Sequence, residues 1–476
     1  MLDITHRVLR IRTISGSILG CAAALSLVGC ASYRPQPIDL NRVADMRAAR
    51  MLDTGAVAGR LAELAPTYHW DGAHWDRLSL FAAATLYNSD IAAARAAVTS
   101  AEAAARASRV GPNLSLTLTT EYAHDPASTS RWLYGGAVDV PLDIGGRRSA
   151  RITTAELAVT SARYDLAQTI WTVRLTMRRA LADLLAAERQ ATAYRTLADV
   201  RARQLAVAER RVAAGEASRA DLERVRADGA DAERRVNDAL AQRRGALSAL
   251  ATAIGVPQES LTGIAFDWAD FDLPESDPAK RVTPAIRRSA LLARADILKG
   301  MVAYDQAESE LRGEVAKQWP AISLQPGYTW ERGLVKVPFT LGLVLPPLDL
   351  NRHAIATADA RRAESGKRLE AIVAGAEAAI DAALIETSAA RAALTRIRGT
   401  ERIAADRLAA QADRELTAGT IDRGEWAAAQ AGARLARIAE LDALARVHAA
   451  DAALEDALRR PLEGPELMMT NIGIRP

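Results

Sequence analysis

Residues 112–148 read PNLSLTLTTEYAHDPASTSRWLYGGAVDVPLDIGGRR. In the first part Leu114, Leu116, Leu118 and Tyr122 alternate with Ser115, Thr117, Thr119 and Glu121. In the second, Trp132, Tyr134, Val138, Val140 and Leu142 alternate with Leu133, Gly135, Ala137 and Asp139. A period of two is that of a β-strand with one apolar face. The stretch therefore predicts a hairpin with a short tip at about 123–131, returning to helix through Pro141-Leu142-Asp143-Ile144-Gly145-Gly146.

The same pattern returns about 205 residues later, which predicts an internal duplication. Pro112-Asn113-Leu114-Ser115-Leu116 is echoed by Pro320-Ala321-Ile322-Ser323-Leu324, and Pro141-Leu142-Asp143-Ile144 by Pro347-Leu348-Asp349-Leu350. Ala214-Gly215-Glu216-Ala217-Ser218 is echoed by Ala418-Gly419-Thr420-Ile421-Asp422. In the second copy Ile322, Leu324, Tyr328 and Trp330 oppose Ser323, Gln325, Thr329 and Glu331. Then Val335, Val337, Phe339, Leu341, Leu343 and Leu345 oppose Lys336, Thr340 and Gly342, after a tip at about 332–334.

Around the hairpins lie stretches with few breakers, predicting helices over 76–111, 147–213 and 220–254, then 284–319, 352–417 and 421–459. The middle helix of each half would be about 100 Å long, matched by the two shorter ones end to end. The composition agrees, with 49% hydrophobic residues, only 4% aromatic ones and abundant Ala, the best helix former. The segment 255–283, with Gly255, Pro257, Pro274 and Pro278, reads as the link between halves, at the level where the short helices meet.

Each strand is long enough to cross a bilayer when tilted, and an apolar face backed by a polar one suits a water-filled membrane barrel. Tyr122, Trp132, Tyr328 and Trp330 stand near the hairpin tips, where an interfacial girdle belongs. Two amphipathic hairpins on a soluble core are the alternative. In lipid, four strands cannot close on themselves, and an open edge leaves N–H and C=O groups unsatisfied, so several copies would have to share one sheet.

The N-terminus reads as a secretion signal over residues 1–29, with Arg7, Arg10 and Arg12 ahead of an apolar Ile14–Val28. Leu27-Val28-Gly29-Cys30 resembles a bacterial lipobox, which implies a covalent lipid on Cys30 as the new N-terminus; an ordinary signal with an incidental cysteine is the alternative. Ala31, where an Asp would retain the protein at the inner membrane, points to the outer membrane. The only cysteines, Cys21 and Cys30, fall in this region, so a mature chain would hold no disulfide or thiolate metal site. The expected organisation is signal 1–29, anchored segment 30–75, first repeat 76–254, link 255–283, second repeat 284–459 and tail 460–476.

The balance of 61 basic against 58 acidic residues, net +3, gives no reason to expect nucleic acid. Dense mixed charge along 201–244 reads as a solvated, salt-bridged helix face. His69 and His74 lie in Tyr68-His69-Trp70-Asp71-Gly72-Ala73-His74-Trp75 without the spacing of a helical metal-ligand pair, so packing is the favoured reading. No phosphate loop, nucleophile elbow or zinc-protease motif is present, and neither catalysis nor a cofactor is expected.

The duplicated order of helix, strand hairpin, long helix and short helix resembles the TolC-like outer-membrane efflux family over nearly all of the mature chain. Its most specific parts are Pro141–Arg148 and the turns at Gly215 and Gly419; Gly215, Ser218 and Asp221 look most like the heavy-metal export branch. The resemblance implies a mainly α fold with β: long antiparallel helical hairpins in an α-barrel, and four strands per protomer in a trimeric 12-stranded transmembrane barrel. It implies a passive exit duct for drugs or metal ions, with a homotrimer, a periplasmic adaptor, an inner-membrane pump and outer-membrane lipids as partners. By position, Gly215, Ser218, Asp221 and Gly419 fall on the adaptor-docking tip, and Glu425 falls where the family has an acidic constriction, with Asp422 close by. A second acidic position one turn on is Ala428 here. Glu425 could equally serve as a helix N-terminal carboxylate. The rival readings are a lipid-anchored periplasmic coiled-coil tether without a pore, and a type I protein-secretion duct.

Overall fold

The computed structural model describes residues 33–122, 131–274, 277–331 and 333–469. Cys30, the lipobox, the first hairpin tip and the last residues of the tail lie outside them. The chain falls into two units divided after Arg50. The first contains one described helix, α1 (Leu40–Ala48), capped by Asp39. Everything below concerns the second.

That unit runs α2 (Thr54–Leu64), β1 (His74–Trp75), α3 (Arg77–Tyr87), α4 (Ser89–Ser108), β2 (Ser115–Tyr122), β3 (Trp132–Leu142), α5 (Arg147–Ala213) and α6 (Arg219–Ile254). It continues with β4 (Ala265–Phe266), α7 (Pro284–Ala293), α8 (Ala295–Ala316), β5 (Ala321–Glu331), β6 (Leu334–Lys336), β7 (Phe339–Val344), α9 (Arg352–Arg396), α10 (Arg402–Ala418) and α11 (Arg423–Leu458). Among the described residues no helix is long and apolar enough to cross a membrane.

α5 is a single helix of 67 residues, about 100 Å. It packs against α3 and α4 on one side, α6 further along, and α8 and α11 of the other half. Its buried stretch, from Ala167 to Val200, contributes Met177, Leu181 and Leu184 to a core shared with Leu78, Phe81, Leu250, Ile254, Trp268, Phe271 and Val447.

Two helices expected to be continuous are not, and a third carries an irregular turn. The 76–111 helix breaks at Asn88, whose Oδ1 accepts from the amides of Asp90 and Ile91, while its Nδ2 donates to Ala253 O at 2.8 Å. The 284–319 helix breaks at Arg294, which donates to Ala457 O at 2.6 Å and pairs with Asp296. In each half the side chain at the break donates to a carbonyl near the end of a distant helix. The 352–417 helix contains a π-turn at Ile397–Glu401.

The fourth strand is also split. Pro338 has no N–H to give the ladder, so β6 and β7 pair with β5 on either side of it in unchanged register, Thr329 opposite Lys336 and Pro326 opposite Phe339. The sheet is antiparallel in the order β2-β3-β5, with β6 and β7 both along the far edge of β5.

Candidate functional site

Three regions of this unit carry features that packing alone does not explain. The first is the sheet. Pairing sets Leu116 opposite Val138, Tyr122 opposite Trp132, Tyr134 opposite Trp330, Val140 opposite Leu324, Leu142 opposite Ile322 and Leu324 opposite Leu341. Directly opposed residues share a face, so the apolar positions of every strand form one surface. Leu118 is 72% exposed, and Leu116, Phe339, Leu341 and Leu343 are also open. Apolar surface of this extent marks contact with a membrane or another protein. Near the tips, Tyr122, Trp132, Tyr134 and Trp330 form an aromatic row with centroids 5.0 to 6.1 Å apart. The opposite face carries Ser115, Thr117, Asp139, Ser323, Gln325 and Thr340.

The second region is the pair of helical turns predicted as the tip. The structure brings them together: Arg211, at the end of α5, pairs with Asp422 at 2.8 Å. Gly215 and Gly419 close their helices with φ of +76° and +74°. Ser218 caps α6 by accepting from Asp221 N, and its hydroxyl donates to the Asp221 carboxylate at 2.7 Å. Asp422 caps α11 through the amides of Gly424 and Glu425, and the Glu425 carboxylate reaches back to Asp422 N at 3.4 Å, a capping box. The amide bond from Glu425, with that from Gly424 and the charge of Arg211, holds the Asp422 carboxyl below its ordinary range. Glu425 is thus exposed and serves as a helix-terminal carboxylate within the protomer. The 201–244 charges form surface pairs, among them Arg226–Glu209 and Arg235–Asp231.

The third region was not foreseen. Arg174 and Arg178, one turn apart on α5, are buried against Glu455 of α11, at 2.9 and 3.4 Å. Arg174 also reaches Glu466, Arg178 reaches Glu463, and Arg77 reaches both of these, so the segment after α11 is tied down by charge. Burial drives the Glu455 carboxyl up, but Arg178 and Arg174 outweigh it and hold it below the usual range. Arg77 and Arg178 stack on Trp268, with the Arg77 guanidinium 4.3 Å from its ring centre. A helical Arg pair at i, i+4 amid Ile170, Trp171, Leu175 and Met177 was the available signal; its partners lie about 280 residues on.

His448 and Asp451 on α11 face the same cluster. Burial pushes His448 down to about 4, with Arg178, Arg77 and Arg391 adding and the bond to Phe271 O opposing. Burial pushes Asp451 up to about 6, Glu463 adding and Arg391 and Arg178 opposing. The depressed His448 contributes stability above its unfolded value of 6.5 that is lost toward pH 4. The raised Asp451 does the reverse, its full contribution appearing as pH falls through 6 to below 3.8. Asp451→Asn removes only the second. Relative to wild type, the variant should lose about 2 kcal/mol of stability between pH 7 and pH 4. Denaturant midpoints across that range measure it, and a pH-independent difference would remove Asp451 ionisation from the account.

Among the described residues no group of three or more His, Cys, Asp or Glu is placed to hold an ion. His74 Nδ1 lies 2.7 Å from Asp71, whose carboxyl is held at about 2 by that hydrogen bond and the amides of His74 and Ala73. The stretch packs instead, β1 pairing in parallel with β4 of the link.

Residues 80–256 match the family of outer membrane efflux proteins. The chain is 26% identical over 259 residues to the cobalt-zinc-cadmium resistance protein CzcC of Cupriavidus metallidurans; the match covers 54% of this chain and 59% of that protein, somewhat over half its length. Two solved structures share the fold more widely. The outer membrane protein VceC of Vibrio cholerae superposes with a TM-score of 0.65 at 16% identity, covering 81% of this chain and 97% of that one. The open-state outer membrane channel MtrE of Neisseria gonorrhoeae gives 0.62 at 18% identity, with 81% and 89% covered. Residues 80–256 thus resemble the outer membrane efflux proteins in sequence, and the described chain shares its fold with solved outer membrane channels.

Proposed function

We propose that the chain is one protomer of a trimeric exit duct in the outer membrane, its strands pooled in a 12-stranded barrel and its helices lining a periplasmic passage. The observation that carries this is the sheet: it is open at β2 and at β6/β7, with one face apolar and exposed and the other polar. In hydrocarbon such edges must be paired, and further copies of the same sheet can pair them. The two halves repeat the order helix pair, hairpin, long helix, helix, which fits a duplicated protomer. Cys30 would carry the lipid anchor. The duct is passive; an inner-membrane pump reached through a periplasmic adaptor supplies energy. Gly215, Ser218, Asp221 and Gly419 would offer the adaptor its docking turns. The likeness to a cobalt-zinc-cadmium resistance protein favours metal cations as cargo over drugs or polypeptides.

At the tip, Asp422 and Glu425 from each copy would ring the narrow end with negative charge and favour cations. Purified full-length protein in planar bilayers should give discrete, cation-preferring conductance steps, whereas a poreless tether would give none. In Glu425→Ala the cation preference should fall, at a stability cost of about 1 kcal/mol from the broken capping box. Unchanged conductance and selectivity in that variant would remove Glu425 from the gate.

A further inference from the structure

Where the strands give way to α5, a cavity of about 350 Å³ joins two kinds of surface. One wall is apolar: Pro112 and Pro320 line it beside Leu142, which lies opposite Ile322 on the apolar face of the sheet. The other is Arg147, Arg148 and Arg151 on the first turns of α5. Their anchoring is to backbone carbonyls. Arg147 donates to the carbonyls of Ala316, Lys317 and Trp319, Arg148 to Arg109 O at 2.7 Å, and Arg151 to Val110 O at 3.2 Å. These carbonyls end α4 and α8, so the arginines close two helix C-termini and hold the strand–helix junction rigid.

The anchoring leaves charge and donors in surplus. A guanidinium has five N–H groups, and Arg148 and Arg151 each spend one on a carbonyl. The one carboxylate in the cavity lining, Asp143, accepts from the backbone amide of Arg148 at 3.3 Å. Three fixed positive charges against one negative therefore face a cavity whose rim is apolar. Trp319, 58% exposed beside this junction, is the residue type that settles at a membrane–water boundary.

We propose that this cavity binds the headgroup of an anionic glycerophospholipid in the periplasm-side leaflet, phosphate on Arg148 and Arg151, acyl chains along the apolar strand face. Charge complementarity selects the anion, and continuity with the strand face selects a lipid over a soluble phosphate. The inference rests on the channel reading, since it needs the sheet to lie in lipid.

The test is native mass spectrometry of the full-length oligomer from detergent, titrated separately with phosphatidylglycerol and phosphatidylcholine. Wild type should retain phosphatidylglycerol preferentially. Arg148→Gln/Arg151→Gln should retain it roughly 20-fold less, phosphatidylcholine being unaffected, as expected for two lost charges near a lipid surface. Arg148→Lys/Arg151→Lys keeps the charge and should keep most of the preference, which separates headgroup binding from loss of the helix caps. Equal retention of the two lipids by wild type overturns the proposal whether or not any variant folds. So does undiminished phosphatidylglycerol retention by the Gln variant, or its displacement by millimolar inorganic phosphate. Bilayer conductance of the same preparation keeps the two readings apart. Steps without lipid preference remove the headgroup site alone; preference without steps removes the conducting pore but keeps the sheet in lipid, which is the part of that reading the site requires.

Discussion

Arg178→Met is expected to lower stability by about 3–5 kcal/mol, the cost of leaving a buried carboxylate without a partner. Arg178 and Glu455 are both fully buried, and burial already works against the charge on Glu455. Removing Arg178 leaves Arg174 as the chief opposing charge on it, leaves Glu463 to Arg77, and takes a donor from the carbonyl of His448. The double variant Arg178→Met/Glu455→Met should be less destabilised than the sum of its single changes, because an apolar pair of similar volume avoids the desolvation cost. Thermal melts of the four proteins decide it. A strictly additive cycle would mean that the two side chains do not interact, and the ionic tie between α5, α11 and residues 463–466 would have to be abandoned.

Gly255→Ala should cost about 3 kcal/mol or more. Gly255 ends α6 at φ +93°, a left-handed conformation that L-residues adopt at a penalty. The closer constraint is space: a methyl there would be driven into the carbonyl of Tyr87 and to 2.7 Å from Asn88 Cα. These are backbone atoms at the α3–α4 break, held by the Asn88 bond to Ala253, and they have no rotamer by which to withdraw. Gly263→Ala is the control, with a similar φ of +78° and nothing within 4 Å of the added carbon. It should cost only about 1 kcal/mol. Equal melting temperatures for the two variants would show that backbone conformation, not the close approach to Asn88, sets the requirement at 255.

The legible parts of this protein are those decided by neighbours in sequence. An unbroken Ala-rich run specifies α5, and strict alternation assigns each residue of β2, β3 and β5 to its face before any pairing is known. The Gly215 and Gly419 turns were visible because chain reversal after a helix calls for a left-handed residue. Pro338 was legible too, as a missing donor, but the alternation on either side masked it.

What sequence could not disclose was settled by groups brought together from far along the chain. Helical patterning runs through Asn88 and Arg294 without a fault; the side chains at the breaks are held by Ala253 O and Ala457 O, far along the chain. Arg174 and Arg178 look like solvated charges until packing surrounds them with Glu455, Glu463 and Glu466. Arg147, Arg148 and Arg151 become a cationic wall only because two other helices end beside them. Local propensity and periodicity act over a few residues and can be read in order along the chain. Burial, and the charge partners that make burial tolerable, depend on which surfaces meet, and that is decided only when the chain is folded.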